Sequence, residues 1–229
     1  LGRDIGLRLL LATQAFFLPG LAGALVTLFV GAPLGAFAGY EPRRGGNDAL
    51  SPPREKLGRL LRRGVTLLLA VPSALPRFVI ILLLFAAFGF GPWVLALSAG
   101  FLYAGELGEE LRQRVYDCCQ SEWAQASIAE GISELRRLGV QIVWLHARAL
   151  VARHLINVWS FVILVETSLS YLPGEFGLQE PQASWGNMLV GAQDVALTGH
   201  WWPSLVPTVA IVATVALLAR IGDRLGGQR

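Results

Sequence analysis

Three long stretches of this chain contain no Asp, Glu, Lys or Arg. They cover residues 9–40, 78–105 and 195–219, which are 32, 28 and 25 residues long. An α-helix needs only about 20 apolar residues to cross the hydrocarbon core of a bilayer. Inside that core each backbone amide must find its hydrogen-bond partner within its own segment, which a helix achieves. The sequence therefore predicts an all-α integral membrane protein.

The apolar segments predict five transmembrane helices. The second and third are separated by a turn with two glycines and a proline, from Gly89 to Pro92, which is typical of a tight helical hairpin. The predicted spans are residues 16–40, 64–88, 92–111, 155–172 and 203–220.

The basic residues predict the orientation of these helices. Sixteen of the nineteen Lys and Arg residues fall in segments 41–63, 112–153 and 220–229, which lie on one side of the topology. The turn at 89–92 and the loop predicted over 173–200, on the other side, contain none. Because short cytoplasmic loops retain positive charge, we expect the N-terminus outside and the C-terminus in the cytoplasm.

Two segments outside the predicted spans differ in character. Residues 41–63 combine seven cations with Gly45, Gly46, Pro52 and Pro53, which predicts a flexible basic loop against anionic lipid headgroups. Residues 112–153 mix apolar and polar positions at roughly helical spacing. This pattern predicts an amphipathic cytosolic helix at about residues 122–137, which needs a partner surface.

Short motifs in collinear order resemble one known family. They are LGRD at 1–4, GAFAGY at 35–40, EWAQASIAEG at 122–131, ETSLSYL at 166–172, SWGNML at 184–189 and GDRL at 222–225. The run at 122–131 is similar to the cytosolic coupling loop of that family, and the others resemble its helix ends, its last external stretch and its closing tail. The chain thus resembles the C-type permease subunits of dipeptide, oligopeptide and nickel ABC importers.

The resemblance implies a type I ABC importer permease fold with a cytosolic coupling helix, in the bacterial inner membrane. Residues 1–229 would form a single transmembrane permease domain that lacks the first helix of the family, so that the whole subunit would have six spans. It would form half of the pathway of a di- or oligopeptide importer, with nickel or another small solute as the alternative. The implied partners are a second homologous permease, one or two ATPase subunits, an extracytoplasmic substrate-binding protein and membrane lipids.

The resemblance also assigns ATPase coupling to six residues. Small side chains in residues 122–131 would let a short helix bind in a groove of an ATPase subunit. Gly131 would then let the backbone turn away. Gln125 and Ser127 depart from the family motif, which has Glu and Ala there, so we expect docking geometry to matter more than any one charge contact. An interfacial helix lying on the headgroups is the alternative. The assigned residues are Glu122, Trp123, Gln125, Ala126, Ser127 and Gly131.

Arg77 and Glu166 are predicted to lie inside spans. A charge near the bilayer centre costs at least about 2.5 kcal/mol, so Arg77 should face a cavity or a partner. Pro72 and Pro76 are expected to loosen the backbone hydrogen bonds around it. Arg77 is either a pathway cation that meets a substrate carboxylate or gating acid, or half of a structural pair, with Glu166 as a candidate partner. The family resemblance favours a structural role for Glu166.

The sequence supports other functions, such as ATP binding, metal binding or catalysis by this chain, less well. No GxxxxGKS or GxxxxGKT loop is present, so we expect ATP and Mg²⁺ to bind in partner subunits and no cofactor in this chain. His146, His154 and His200 follow no metal-ligand spacing, and the dispersed arginines do not indicate nucleic acid. A membrane-embedded enzyme would need a converging set of reactive groups, which the sequence does not indicate. A passive scaffold subunit would leave the ordered motif series unexplained.

Overall fold

The computed structural model describes residues 4–41, 53–74, 76–133, 136, 142, 145–172 and 177–226. Within these ranges the chain is helical and contains no strand. The helices are α1 Ile5–Ala12, α2 Gln14–Val26, a π-helical turn Thr27–Gly31, α3 Ala32–Gly39, α4 Pro53–Ser73, α5 Arg77–Phe88, α6 Pro92–Gln120, α7 Glu122–Ala129, α8 Arg148–Tyr171, α9 Trp185–Leu197 and α10 Trp202–Gly226.

Three helical stretches are long and apolar enough to cross a membrane: Ile5–Gly39, Leu145–Tyr171 and Trp202–Leu225. A bent pair, Lys56–Pro72 with Arg77–Phe88, is a fourth candidate if the two helices form one broken span. The predicted all-α membrane architecture is confirmed. Five spans in this chain remain a prediction, because α6 is not among the apolar stretches.

Helix α6 is less apolar because it lies at the centre of the bundle. It packs against α2, α3, α4, α5 and α8. Leu95, Leu107 and Leu111 are completely buried along its length. Protein rather than lipid therefore covers most of α6, and small or acidic residues are tolerated there.

A seam of small residues holds the first span against α6. Its members repeat every fourth residue on both helices, the spacing that lets membrane helices approach closely. Thr27 stabilises this helix contact, because its Oγ1 lies 3.0 Å from the carbonyl oxygens of both Gly23 and Gly100. The paired residues ascend together, so the two helices run in the same direction. The seam consists of Gly23, Thr27, Gly31, Gly35 and Gly39 on the first span, facing Ala96, Gly100, Ala104, Gly108 and the backbone of Arg112 on α6.

The predicted span 64–88 is not a single straight helix but is broken near its middle. Helix α4 ends at Ser73 and α5 begins at Arg77, and the two axes differ by 86°. Pro76 has an extended backbone, with φ −62° and ψ 112°, directly before α5. Proline lacks the N–H that would continue the hydrogen-bond ladder, and it disfavours helix in the preceding residue. Arg77 is thus the first residue of a helix rather than the middle of one.

The predicted loops are shorter than expected. Helix α4 begins at Pro53, so the second half of the predicted loop 41–63 is helical, while residues 42–52 lie outside the described ranges. Helix α9 occupies much of the predicted loop 173–200. It starts with a capping box, in which Ser184 and Asn187 each bind the other's backbone N–H, a pattern that marks a helix start in the sequence. Trp185 then packs in the core, 4.5 Å from the Phe16 ring centroid.

Candidate coupling helix and intramembrane ion-pair network

Helix α7 presents one face to solvent and one to the bundle. It follows α6 after a break at Ser121 and packs against the end of that helix. Ala124 and Ser127 are buried, whereas Glu122, Ala126 and Ala129 are exposed. The exposed positions are four and then three residues apart, so they share one helical face. The side chains of Trp123, Gln125 and Ile128 lie outside the described structure.

Two expectations for the coupling segment need correction. The helix predicted to reach about residue 137 ends at Ala129, and residues 134–135 and 137–141 lie outside the described ranges. Gly131 has φ +74°, a left-handed conformation that suits glycine and ends the helix there. Ser127 is turned inward, where its hydroxyl donates to the carbonyl of Ala124 at 2.8 Å. Of the assigned residues with described side chains, Glu122 and Ala126 are therefore free to meet a partner subunit.

Arg77 contacts an acid that the sequence reasoning missed. Its Nη2 donates to Oε2 of Glu106 on α6. The guanidinium carbon also lies 4.3 Å from the centroid of the Tyr103 ring, within the range of a cation–π interaction. Glu106 is 14 residues into α6, about 21 Å along the helix axis. The pair thus lies well inside the bilayer if α6 starts at the outer surface.

A second ion pair lies one helical turn further along α6. Arg153 on α8 donates to Glu110 at 2.8 Å. His154 is 1% exposed, and its Nε2 lies 3.6 Å from the other Glu110 oxygen. Its Nδ1 is 3.1 Å from the Leu150 carbonyl oxygen. The network of Arg77, Glu106, Glu110, Arg153 and His154 therefore joins α5, α6 and α8.

The network is balanced in charge, which bears on metal binding. Ligand atoms of Glu106, Glu110 and His154 lie within 4.8 Å of one another. Each carboxylate, however, already accepts a hydrogen bond from an arginine. Balanced and paired charges are the form in which ionisable groups persist in a membrane bundle. We therefore describe the cluster as an ion-pair network and assign no metal to it.

Glu166 does not pair with Arg77, contrary to the suggested pairing. It is 1% exposed, and its Oε1 accepts from the Ser170 hydroxyl at 2.7 Å. The Ser170 oxygen accepts from the backbone N–H of Leu178 at 3.0 Å, and Asn187 donates to the Leu178 carbonyl at 3.1 Å. Glu166 thus anchors the segment between α8 and α9, near the end of the bundle remote from the ion pairs.

The position of Glu106 in the sequence indicates that this acid needs a partner. It directly follows the uncharged run 78–105 and lies inside the predicted span 92–111. An acid at that position requires a cation nearby for the same reason that Arg77 requires an anion. The cost of burying each charge therefore makes Glu106 a candidate partner of Arg77 from the sequence, and the structure identifies it as the partner.

Comparison with known proteins identifies the family. The binding-protein-dependent transport system inner membrane component family matches residues 31–227. The chain belongs to this family. It is a transport permease subunit rather than an enzyme, and a multi-pass membrane protein, as the sequence predicted.

Named relatives of this permease match nearly the whole chain. It is 26% identical to the di/tripeptide transport system permease protein DppC of Pseudomonas aeruginosa, over 98% of this chain and 68% of that protein. It is also 26% identical to the dipeptide transport system permease protein DppC of Bacillus subtilis, over 98% and 64%. For the oligopeptide transport system permease protein OppC of Haemophilus influenzae the values are 27%, 98% and 66%. The chain spans about two thirds of the length of these relatives.

Proposed function

We propose that this permease forms half of the translocation pathway of an ATP-driven importer of di- and oligopeptides. The observation that carries the proposal is the match over 98% of the chain to permeases whose names specify peptides. The same names favour peptides over the nickel alternative. The other half would be a second homologous permease, and an extracytoplasmic binding protein would deliver the substrate.

The membrane topology we propose has five spans in this chain, with the C-terminus in the cytoplasm. The bent pair α4–α5 would serve as one broken span, and α6 as a span shielded from lipid by its neighbours. Two observations support this assignment. The basic residues collect on one side. The first span also runs parallel to α6 along the glycine seam, as it must if the α4–α5 span, which lies between them in the chain, crosses the membrane in the opposite direction.

Helix α7 is proposed to dock in a groove of an ATPase subunit. Its exposed face carries Glu122 and Ala126, and the positive φ of Gly131 turns the chain away after one short helix. The small Ala126 side chain would allow close approach of the partner's backbone. ATP and Mg²⁺ would bind in that partner, and its movement would be passed to α6 through the packing of α7 on the end of α6.

The ion-pair network is proposed to hold three helices in register rather than to bind substrate. The guanidinium of Arg77 is already engaged by Glu106 and the face of Tyr103. A substrate carboxylate would have to displace Glu106 and leave that acid unpaired in the membrane, which is costly. This argument favours the structural interpretation of Arg77 over the pathway cation.

Reconstituted transport tests the proposal. The permease is co-expressed with its partner subunits and placed in proteoliposomes with its binding protein. The proteoliposomes should take up labelled dipeptide only when ATP is present on the side of the membrane where the ATPase subunits lie. Uptake of Ni²⁺ instead of dipeptide would overturn the substrate assignment. The absence of any co-purifying ATPase subunit would overturn the importer assignment and favour a scaffold.

A further inference from the structure

Glu166 is the only buried acid among the residues that the structure describes, and it is 1% exposed. It lies inside the apolar helical stretch Leu145–Tyr171, five residues before its end, which is about 8 Å along the helix axis. A carboxylate without a cation is one of the most costly groups to place in such surroundings. The negative charge of Glu166 must therefore be paired or removed.

No charged side chain of the described residues pairs with Glu166. Arg8, which precedes the first span, is already bound to Glu180 at 2.6 Å. Arg153 is on the same helix as Glu166 but 13 residues earlier, about 20 Å along the axis, and it pairs with Glu110. Within the described ranges, Glu166 thus has no counter-charge.

The helices that pack most closely against α8 bring no cation to the end of the bundle where Glu166 lies. These are α2 with the π-helical turn, α6, α9 and α10. The first two contain no ionisable residue, and α9 contains only Asp194, which is exposed. On α6, Tyr103 and Glu106 are engaged by Arg77, and the remaining ionisable residues follow further from Glu166. Those of α10 flank Gly222, which lies beside the side chain of Arg153; they are Arg220, Asp223 and Arg224.

The hydrogen bonds of the Glu166 carboxyl group suit a neutral acid better than an anion. Its Oε1 accepts from the Ser170 hydroxyl at 2.7 Å, whereas its Oε2 is buried and makes no hydrogen bond within the described residues. An ionised carboxylate has about four acceptor sites, and each one that loses water without gaining a donor is costly. A proton on Oε2 removes the charge and supplies a donor, and the hydroxyl of the buried Ser184, which also interacts with the carboxyl group, can accept from it.

A covering segment, residues 177–187, closes over this carboxyl group. Two glycines bring its backbone against the last turns of α8. A Cβ on Gly177 would lie 2.3 Å from the backbone of Ser170, and a Cβ on Gly186 would lie 2.3 Å from a carbonyl oxygen of α8. Ser170, which donates to Glu166, also binds a backbone N–H of this segment at 3.0 Å. Movement of the segment away from α8 would therefore admit water to Glu166.

We propose that Glu166 is a proton-binding site, occupied in the folded permease, and that the bound proton keeps the covering segment closed on α8. With the proton bound, the carboxyl group is neutral and can remain buried. When the segment opens, water reaches the group, which ionises and releases its proton to the solvent. Because the closed state binds one more proton than the open state, raising the pH favours opening.

Infrared spectroscopy of the permease, purified with its partner subunits, tests for the proton directly. Exposed carboxyl groups are ionised at neutral pH, so the C=O stretch of a protonated carboxyl group reports those that retain a proton. Glu166→Gln, which is neutral and has the same shape, should remove one such band and keep the thermal stability. The matched control, Glu106→Gln, should leave that band in place, because Glu106 is paired with Arg77.

A second variant keeps the infrared test decisive if Glu166→Gln fails to fold. Ser170→Ala removes the hydroxyl that donates to Oε1. The same band should then shift in frequency, because the carbonyl oxygen of the acid loses its hydrogen bond.

The pH dependence of thiol labelling tests whether the proton controls the covering segment. Ala183→Cys places a thiol at a half-buried position of the segment, and mass spectrometry of that peptide follows its reaction with a maleimide in the purified complex. Relative to the same cysteine in Glu166→Gln, the rate should rise with pH by up to about tenfold per unit, the limit for opening linked to one proton. Thr198→Cys, at an exposed position, should show no difference between the two backgrounds.

Three results would overturn the proposal. The first is a protonated-carboxyl band that neither Glu166→Gln nor Ser170→Ala changes. The second is loss of stability in Glu166→Gln together with no such band in the wild type, which would show an ionised carboxylate held by a counter-ion. The third is the same pH dependence of labelling at position 183 with Glu or Gln at position 166. None of these measurements requires transport, so they stand apart from the peptide-import assignment.

Discussion

Replacing Gly100 with alanine should loosen the contact between α2 and α6. A Cβ at this position would lie 2.7 Å from Val26 Cβ and 2.8 Å from the Gly23 carbonyl oxygen, whereas ordinary contact begins at 3.4 Å. The helices would have to separate by about 0.7 Å, the difference between these distances. Overpacking of this kind costs about 1–3 kcal/mol. The shift would also stretch the hydrogen bond from Thr27 to the Gly100 carbonyl, worth about 1 kcal/mol.

The same substitution at Gly64 provides the matched control. Gly64 also lies inside a helix, but a Cβ there would meet no atom within 4 Å. Alanine favours a helix over glycine by about 0.5–1 kcal/mol. Gly64→Ala should therefore be neutral or stabilising, and Gly100→Ala should be less stable than the control by about 2–4 kcal/mol, from the overpacking and hydrogen-bond costs together.

Unfolding in mixed micelles measures this difference. The loss of helical circular dichroism is followed as the mole fraction of sodium dodecyl sulfate rises, for the wild type and both variants. The Gly100→Ala midpoint should fall and the Gly64→Ala midpoint should not. Equal midpoints for the two variants would show that the seam tolerates extra volume and that close packing does not hold these helices together.

Three further predictions follow from the described contacts. Arg77→Gln should lower the free energy of unfolding by about 2 kcal/mol, a loss between those of exposed and buried ion pairs, because both side chains are about one-third exposed. A double variant with Glu106→Gln should recover most of this loss in the same assay. No recovery would refute the pair. Ala126→Trp should abolish substrate-stimulated ATPase activity while Ser127→Ala, whose side chain is turned inward, leaves it unchanged, and stimulation that survives in Ala126→Trp would remove the docking assignment. Single cysteines at Glu130 and Thr198, both exposed, should react with an impermeant maleimide in intact cells only at position 198; labelling at 130 would overturn the topology. Native thiols should add little background, because Cys119 is buried and Cys118 is only partly exposed.

Much of the candidate site could be located from the sequence, but its partners could not. The positions of Arg77, Glu166 and the coupling run were all singled out, and the turn expected at Gly131 is present. Arg77 and Glu106 are 29 residues apart, and nothing in their local pattern specifies which acid faces the arginine. Similarly, α7 has small residues on both sides, and only its packing on α6 decides that Ser127 is buried and Ala126 exposed.

The sequence by itself determined that this chain is a membrane protein. It also determined the positions of the main helices along the chain and the family that the chain resembles. Those properties depend on single segments, since transfer of a helix into hydrocarbon is set by its own length, apolar content and charge. The tertiary structure decided the sharp break before Arg77, the Glu106 partner, the buried position of α6 and the anchoring of Glu166. Each of these depends on the free energy of contacts between segments far apart in the chain, because a charge or a close-packed glycine is stabilised only by the particular neighbour that the fold places beside it.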